Sequence, residues 1–127
     1  MIDMDAANNI FSWVASDRND PYRPLRDYGI PEERMLFVLD DGSALMVGGG
    51  RLGSIDLPLK KIREQLEQRG KGWANVTHTI HNHGSRKGFS PSDHNVNTVL
   101  RKLGFAGEFQ VYYPKIGIAR TLKQETK

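Results

Sequence analysis

The stretch WANVTHTIHNHGSRKGFSPSDHNVNTVLRKLG, residues 73–104, contains the signals that decide the fold of this 127-residue chain. Its first part, VTHTIHNH, is rich in β-branched residues and predicts a central strand. Its last part starts with SPSD, where serine, proline and an acidic residue stand in the order typical of a helix start. The helix is expected to end at Gly104 and to bury an apolar face made of Val96, Val99, Leu100 and Leu103.

The segments on either side of this stretch predict a mixed α/β domain, a central β-sheet flanked by helices. RMLFVLDDGSALMV, residues 34–47, has two apolar runs around Asp-Asp-Gly and predicts a β-hairpin. PLKKIREQLEQRG, residues 58–70, has apolar residues at helical spacing and predicts an amphipathic helix. EFQVYYP and IGIARTL predict two closing strands. DMDAANNIFSWVAS, residues 3–16, predicts a short helix, because Ile10, Phe11 and Val14 lie at helical spacing behind an acidic start.

Composition restricts the class of protein. The 127 residues, 38% of them hydrophobic, are enough for a single domain. We expect its core to span about residues 4–120, with residues 121–127 as a flexible tail. The N-terminus does not resemble a signal peptide, and no apolar stretch approaches the ~20 residues of a membrane span. We therefore expect a cytoplasmic protein with no membrane association. The net charge of +3 is typical of an ordinary solvated surface.

Residues 81–93 contain side chains suited to a metal site. There is no cysteine in the chain, so any metal must be bound by histidine and carboxylate. His81 and His83 project to the same side of the predicted strand, and Asp93 lies in the first turn of the following helix. Two histidines, one aspartate and an open position form a catalytic type of zinc site, and Ser90 is placed to donate to a developing oxyanion. Each fragment alone is more often a surface histidine pair or a helix cap, but their order together favours the metal site.

The string HNHGSRKGFSPSD also resembles the metal-binding motif of the JAMM (JAB/MPN) metalloprotease family, and its wording is similar to the RadC-like branch. The family pattern is His-x-His, a loop and Ser-x-x-Asp, with a glutamate upstream. The resemblance implies a JAMM/cytidine-deaminase-like fold. It also implies that Zn²⁺ is bound by His81, His83 and Asp93, and that Ser90 stabilises the tetrahedral intermediate.

The upstream glutamate is expected in GIPEERMLF, before the first hairpin strand. Glu33 fits the Pro-x-Glu spacing of the family, whereas Glu32 fits a spacing counted back from the Leu-Asp at the end of the strand. We favour Glu33 as the catalytic base, and the alternative is that both glutamates only begin the strand. The implied activity is that of a zinc-dependent hydrolase cleaving a peptide or isopeptide bond, with a peptide or ubiquitin-like protein as substrate.

Two other functions stay open at this point. Gly84 stands where the family has proline, and the loop between His83 and Ser90 is one residue shorter than is common. These differences favour a catalytically inactive module of the same fold that acts in binding or as a scaffold. The RadC-like wording, together with Arg86 and Lys87 beside the motif, favours a protein associated with nucleic acid, specifically DNA.

Overall fold

A six-stranded mixed sheet forms the centre of the protein. The computed structural model describes residues 9–15, 19–23, 25, 32–52, 58–82, 89, 91–113 and 117–122. In chain order the elements are β1 (Asn9–Ala15), β2 (Glu32–Leu39), β3 (Ser43–Leu52), α1 (Leu59–Gln68), β4 (Val76–Asn82), α2 (Pro91–Leu103), β5 (Glu108–Tyr113) and β6 (Ile118–Thr121). A single 3-10 turn, Trp73–Asn75, leads into β4.

The strands lie in the order β1-β3-β2-β4-β5-β6, which places β4 in the interior of the sheet. β4 and β5 are parallel, and the other neighbouring strands are antiparallel. A parallel pair needs a crossover connection, and α2 lies within it. The predicted β2–β3 hairpin, the two closing strands, the two central helices and the interior strand are all confirmed, and the domain is a mixed α/β one.

The two faces of the sheet are covered differently. Both described helices pack on one face, where Ile62 and Leu66 of α1 and Leu100 of α2 join the larger core cluster. The strand residues of this cluster are Met35, Phe37, Leu39, Leu45, Val47, Val76 and Phe109. On the opposite face, Tyr22 and Leu25 from the connection between β1 and β2 cover a smaller cluster. The face with the helices is called the helical face below.

The helix expected over residues 3–16 is wrong where the structure describes it, because residues 9–15 form β1. β1 pairs antiparallel with β3 along its whole length, from Asn9 opposite Gly49 to Ala15 opposite Ser43. Trp13 packs against the core of the helical face and Val14 against that of the opposite face, an alternation that only a strand provides. Pairing with a distant strand therefore outweighs a weak local helical pattern.

The apolar face expected for α2 is also only partly correct. Leu100 is fully buried and Val96 partly buried, but the side chains of Val99 and Leu103 are 41% and 45% exposed. The polar residues Asp93 and Asn97 are buried instead. The helix is therefore rotated about its axis so that its first turn presents a carboxylate toward the sheet.

The folded chain extends past residue 120. Thr121 is the last residue of β6, and Leu122 is buried in the core of the helical face with its N–H donating to the Phe109 carbonyl at 2.8 Å. Residues 123–127 of the expected tail lie outside the described residues. Neither of the two described helices is long and apolar enough to cross a membrane.

Candidate metal centre

His81 lies near the end of the interior strand β4, on the helical face. Its Cα partners are Met35 in β2 and Val111 in β5, so hydrogen-bonded strands hold its backbone from both sides. The residue is only 5% exposed. Because strands on both sides hold its backbone and its side chain is buried, His81 has a fixed position at the end of the sheet.

Asp93 approaches the same point from the start of α2. The helix begins at Pro91, a residue that suits the first turn because its missing N–H has no partner to lose there. Asp93 lies in that first turn and is 9% exposed. The N-terminal end of the helix dipole stabilises its carboxylate, which offsets part of the cost of burying a charge.

The strand end and the helix start bring the two side chains into contact. His81 Nε2 lies 3.0 Å from Asp93 Oδ1, and the two side chains are 7% and 12% exposed. At 3.0 Å the two side chains are in direct contact, since two atoms bound to one tetrahedral zinc at ~2.0–2.2 Å lie roughly 3.3–3.6 Å apart. Histidine nitrogen and carboxylate oxygen are both atoms that zinc binds in proteins. This contact is the central feature of the candidate site.

Aromatic rings line one side of this pair. The Phe109 ring meets the His81 ring edge-on, with centroids 5.7 Å apart. Phe89, just before α2, lies 6.3 Å from the Phe109 ring and 6.3 Å from the His94 ring. Such a wall keeps water away from one side of the histidine and strengthens electrostatic interactions beside it.

No protein-family model, curated protein or solved structure matches the chain.

The described part of the chain contains only some of the predicted site residues. His83 and Ser90 lie outside the described residues. Within the described part of the chain, no three histidine, cysteine, aspartate or glutamate side chains cluster as a metal site. The described part of the predicted ligand set therefore consists of His81 and Asp93.

Glu32 and Glu33 are the first two residues of β2. Because β2 runs antiparallel to β4, its first residues lie at the end of the sheet where β4 ends beside His81. The pairing of β2 with β3 changes register between Glu32 and Arg34. The backbone of both glutamates thus lies at the same end of the sheet as His81 and Asp93.

Asn82 is a residue of this region that the sequence interpretation missed. Its side chain is buried, at 3% exposure, and its Oδ1 accepts a hydrogen bond from the backbone N–H of Arg34. Arg34 directly follows Glu33, so the amide joins the end of β4 to the start of β2. The signal available in the sequence was a polar amide between two histidines at a strand end, where a buried residue requires a partner.

The two remaining described histidines lie away from the pair. His78 takes part in a separate group, with Nδ1 2.9 Å from Thr77 Oγ1 and Nε2 3.8 Å from Glu108 Oε1. His94 is exposed on α2 beside Phe89. Both are therefore useful as controls for the histidine in the candidate site.

Proposed function

We propose that the chain is a zinc-dependent hydrolase of the JAMM type that cleaves a peptide or isopeptide bond. The observation that carries the proposal is the buried 3.0 Å contact between His81 Nε2 and Asp93 Oδ1. It joins the first and last members of the motif His-x-His…Ser-x-x-Asp. Two buried donors of the kinds that zinc binds are thereby brought together at one end of the sheet.

In this proposal His81, His83 and Asp93 hold the zinc ion. The bound metal supplies Lewis acidity, which polarises a carbonyl and makes water a nucleophile near neutral pH. Glu33 accepts the proton of that water and passes it to the leaving amine. Ser90 donates a hydrogen bond to the oxyanion that develops on the substrate carbonyl.

The spacing of the motif supports Glu33 over Glu32 as the base, because Glu33 stands in the Pro-x-Glu arrangement that the resemblance implies. Both glutamates belong to the start of β2, at the end of the sheet where β4 ends. Substitution of each glutamate in turn decides between them.

The experiment that tests this function combines metal analysis with peptide cleavage. Purified protein is equilibrated with zinc, and a proteome-derived peptide library is then analysed by mass spectrometry for cleavage. Wild-type protein is expected to hold about one zinc per chain and to cleave peptides. His81→Ala and Asp93→Ala each remove a ligand, and should weaken zinc binding by more than the roughly 10–100-fold typical of a change next to a ligand.

The matched control is His78→Ala, which removes a histidine from the same strand in a group apart from the Asp93 contact. It is expected to retain zinc and cleavage, and circular dichroism of all variants checks that they are folded. Full zinc occupancy in both His81→Ala and Asp93→Ala would contradict the site.

A binding or scaffold module of the same fold is the second candidate, favoured by Gly84 and by the short loop after His83. It would cleave no peptide in the library, with or without zinc bound to the same residues. Association with DNA is distinguished by titrating duplex DNA at low and high salt, because binding through phosphates weakens steeply as salt rises.

A further inference from the structure

Asn82 occupies the last position at which β4 and β2 are joined. The antiparallel register pairs Met35 with His81, which is the last Cα pair between the two strands. One residue further along β4, the Asn82 side chain provides the acceptor for the Arg34 N–H. In sequence, Arg34 directly follows Glu33, and Asn82 directly follows His81.

The surroundings of Asn82 make this hydrogen bond a strong constraint. The residue is 3% exposed, and its Cα partner in β5 is Tyr112, which is buried in the core of the opposite face. Two residues before Asn82 along β4 is Ile80, which is fully buried in the same cluster. A buried amide loses its water and is therefore held to the protein partners that it finds.

We propose that Asn82 is a positioning residue for the metal site, acting through the backbone of the strand ends. Its side chain fixes the end of β4 against the start of β2, so that His81, the residue before it, keeps its place relative to Asp93. This inference rests on the proposed function, because it assumes that His81 and His83 bind zinc. It adds a residue that touches neither the metal nor the substrate.

The test compares Asn82→Leu with Ile80→Ala in full-length protein. Leucine has nearly the shape of asparagine but no acceptor, whereas Ile80→Ala weakens the same strand and the same core cluster without changing the Arg34 contact. Zinc affinity is measured by competition with a chelator, and the exchange rate of the Arg34 amide is measured by hydrogen–deuterium exchange. Unfolding in urea gives the loss of stability of each variant.

Asn82→Leu is expected to weaken zinc binding by about 10–100-fold, as changes beside metal ligands do. Exchange of the Arg34 amide should be about tenfold faster or more, because its acceptor is gone. Asn82→Asp restores an acceptor oxygen and should return the Arg34 exchange rate toward that of the wild type. Ile80→Ala is expected to bind zinc within about threefold of the wild type in spite of its own loss of stability.

The possible results separate this inference from the proposed function. Wild-type protein that binds no zinc would overturn both. Zinc binding by the wild type with equal affinity in Asn82→Leu, or an equal loss in Ile80→Ala, would overturn the role of Asn82 alone. Zinc binding that depends on Asn82 in a protein that cleaves no peptide would support the inference and contradict the hydrolase.

Discussion

At the scale of single residues, Glu33 determines whether the metal centre would be an enzyme. Glu33→Gln preserves the size of the side chain but removes its ability to accept a proton. Loss of a general base typically lowers the rate by about 10²–10⁴-fold, so we expect that fall in peptide cleavage with zinc content unchanged. Both quantities are measured on the same zinc-loaded preparation.

Glu32→Gln is the matched control, since it makes the same change one residue earlier in β2. It is expected to leave cleavage within about twofold of the wild type, because the proposal gives the proton transfer to Glu33 alone. An inactive Glu32→Gln beside an active Glu33→Gln would move the base to Glu32. Full activity in both variants would show that neither glutamate is the base.

At the scale of elements, the face of α2 that is buried differs from the apolar face that its sequence predicts. Asp93, Asn97 and Leu100 lie at positions i, i+4 and i+7 and are all buried, whereas Leu103 is 45% exposed. Within the helix, Arg101 Nε donates to Asn97 Oδ1 at 3.1 Å. The orientation that places Asp93 against His81 leaves Leu103 toward solvent.

This orientation predicts unequal effects for two chemically identical substitutions in α2. Leu100→Ala creates a cavity in the core of the helical face and should lower the free energy of unfolding by about 2–5 kcal/mol. Leu103→Ala removes a half-exposed side chain and should change it by less than about 0.5 kcal/mol. Urea unfolding of the two variants measures the difference. Equal losses would mean that the helix is rotated differently against the sheet.

At the scale of the whole molecule, a polar clamp joins parts of the chain at the end of the sheet opposite to the contact between His81 and Asp93. Asp40, in the turn after β2, accepts hydrogen bonds from Lys71 Nζ and from Asn75 Nδ2, each at 2.9 Å. These bonds to Lys71 and Asn75 lower the pKa of Asp40 below its ordinary value. Asp40 also raises the pKa of Lys71 through the same contact.

The lowered pKa of Asp40 determines the sign of a pH effect on stability. A carboxylate with a depressed pKa in the folded state stabilises the fold above its unfolded pKa of 3.8, and this contribution is lost as pH falls through the folded pKa. Asp40→Asn should therefore lose less stability than the wild type when urea unfolding is compared between pH 7 and about pH 3. The control is Glu64→Gln, which removes an exposed carboxylate of α1 outside the clamp. Parallel losses in the wild type and Asp40→Asn would contradict a role for this clamp.

Short-range signals in the sequence determined the β2–β3 hairpin and the limits of both helices. Asp-Asp-Gly predicted the β2–β3 hairpin, and Gly42 in that turn has a φ of +88°, which glycine adopts without a steric cost. Pro58 and Gly70 bracket α1, and SPSD begins α2. The sequence also predicted that His81 and Asp93 lie near each other, because a histidine at a strand end and an acid in the first turn of the next helix are close in the chain.

Only the tertiary structure decided the features that depend on partners distant in sequence. β1 is a strand because it pairs with the edge of β3. The first turn of α2 faces the sheet, where Asp93 contacts His81. The place of Asn82 depends on its hydrogen bond with the backbone of Arg34, 48 residues earlier in the chain. Gly107 is required because a Cβ there would collide with the Thr77 carbonyl of β4. Local sequence determines which backbone conformations are favoured, but which side of an element is buried depends on the free energy of contacts that form only after the chain has folded.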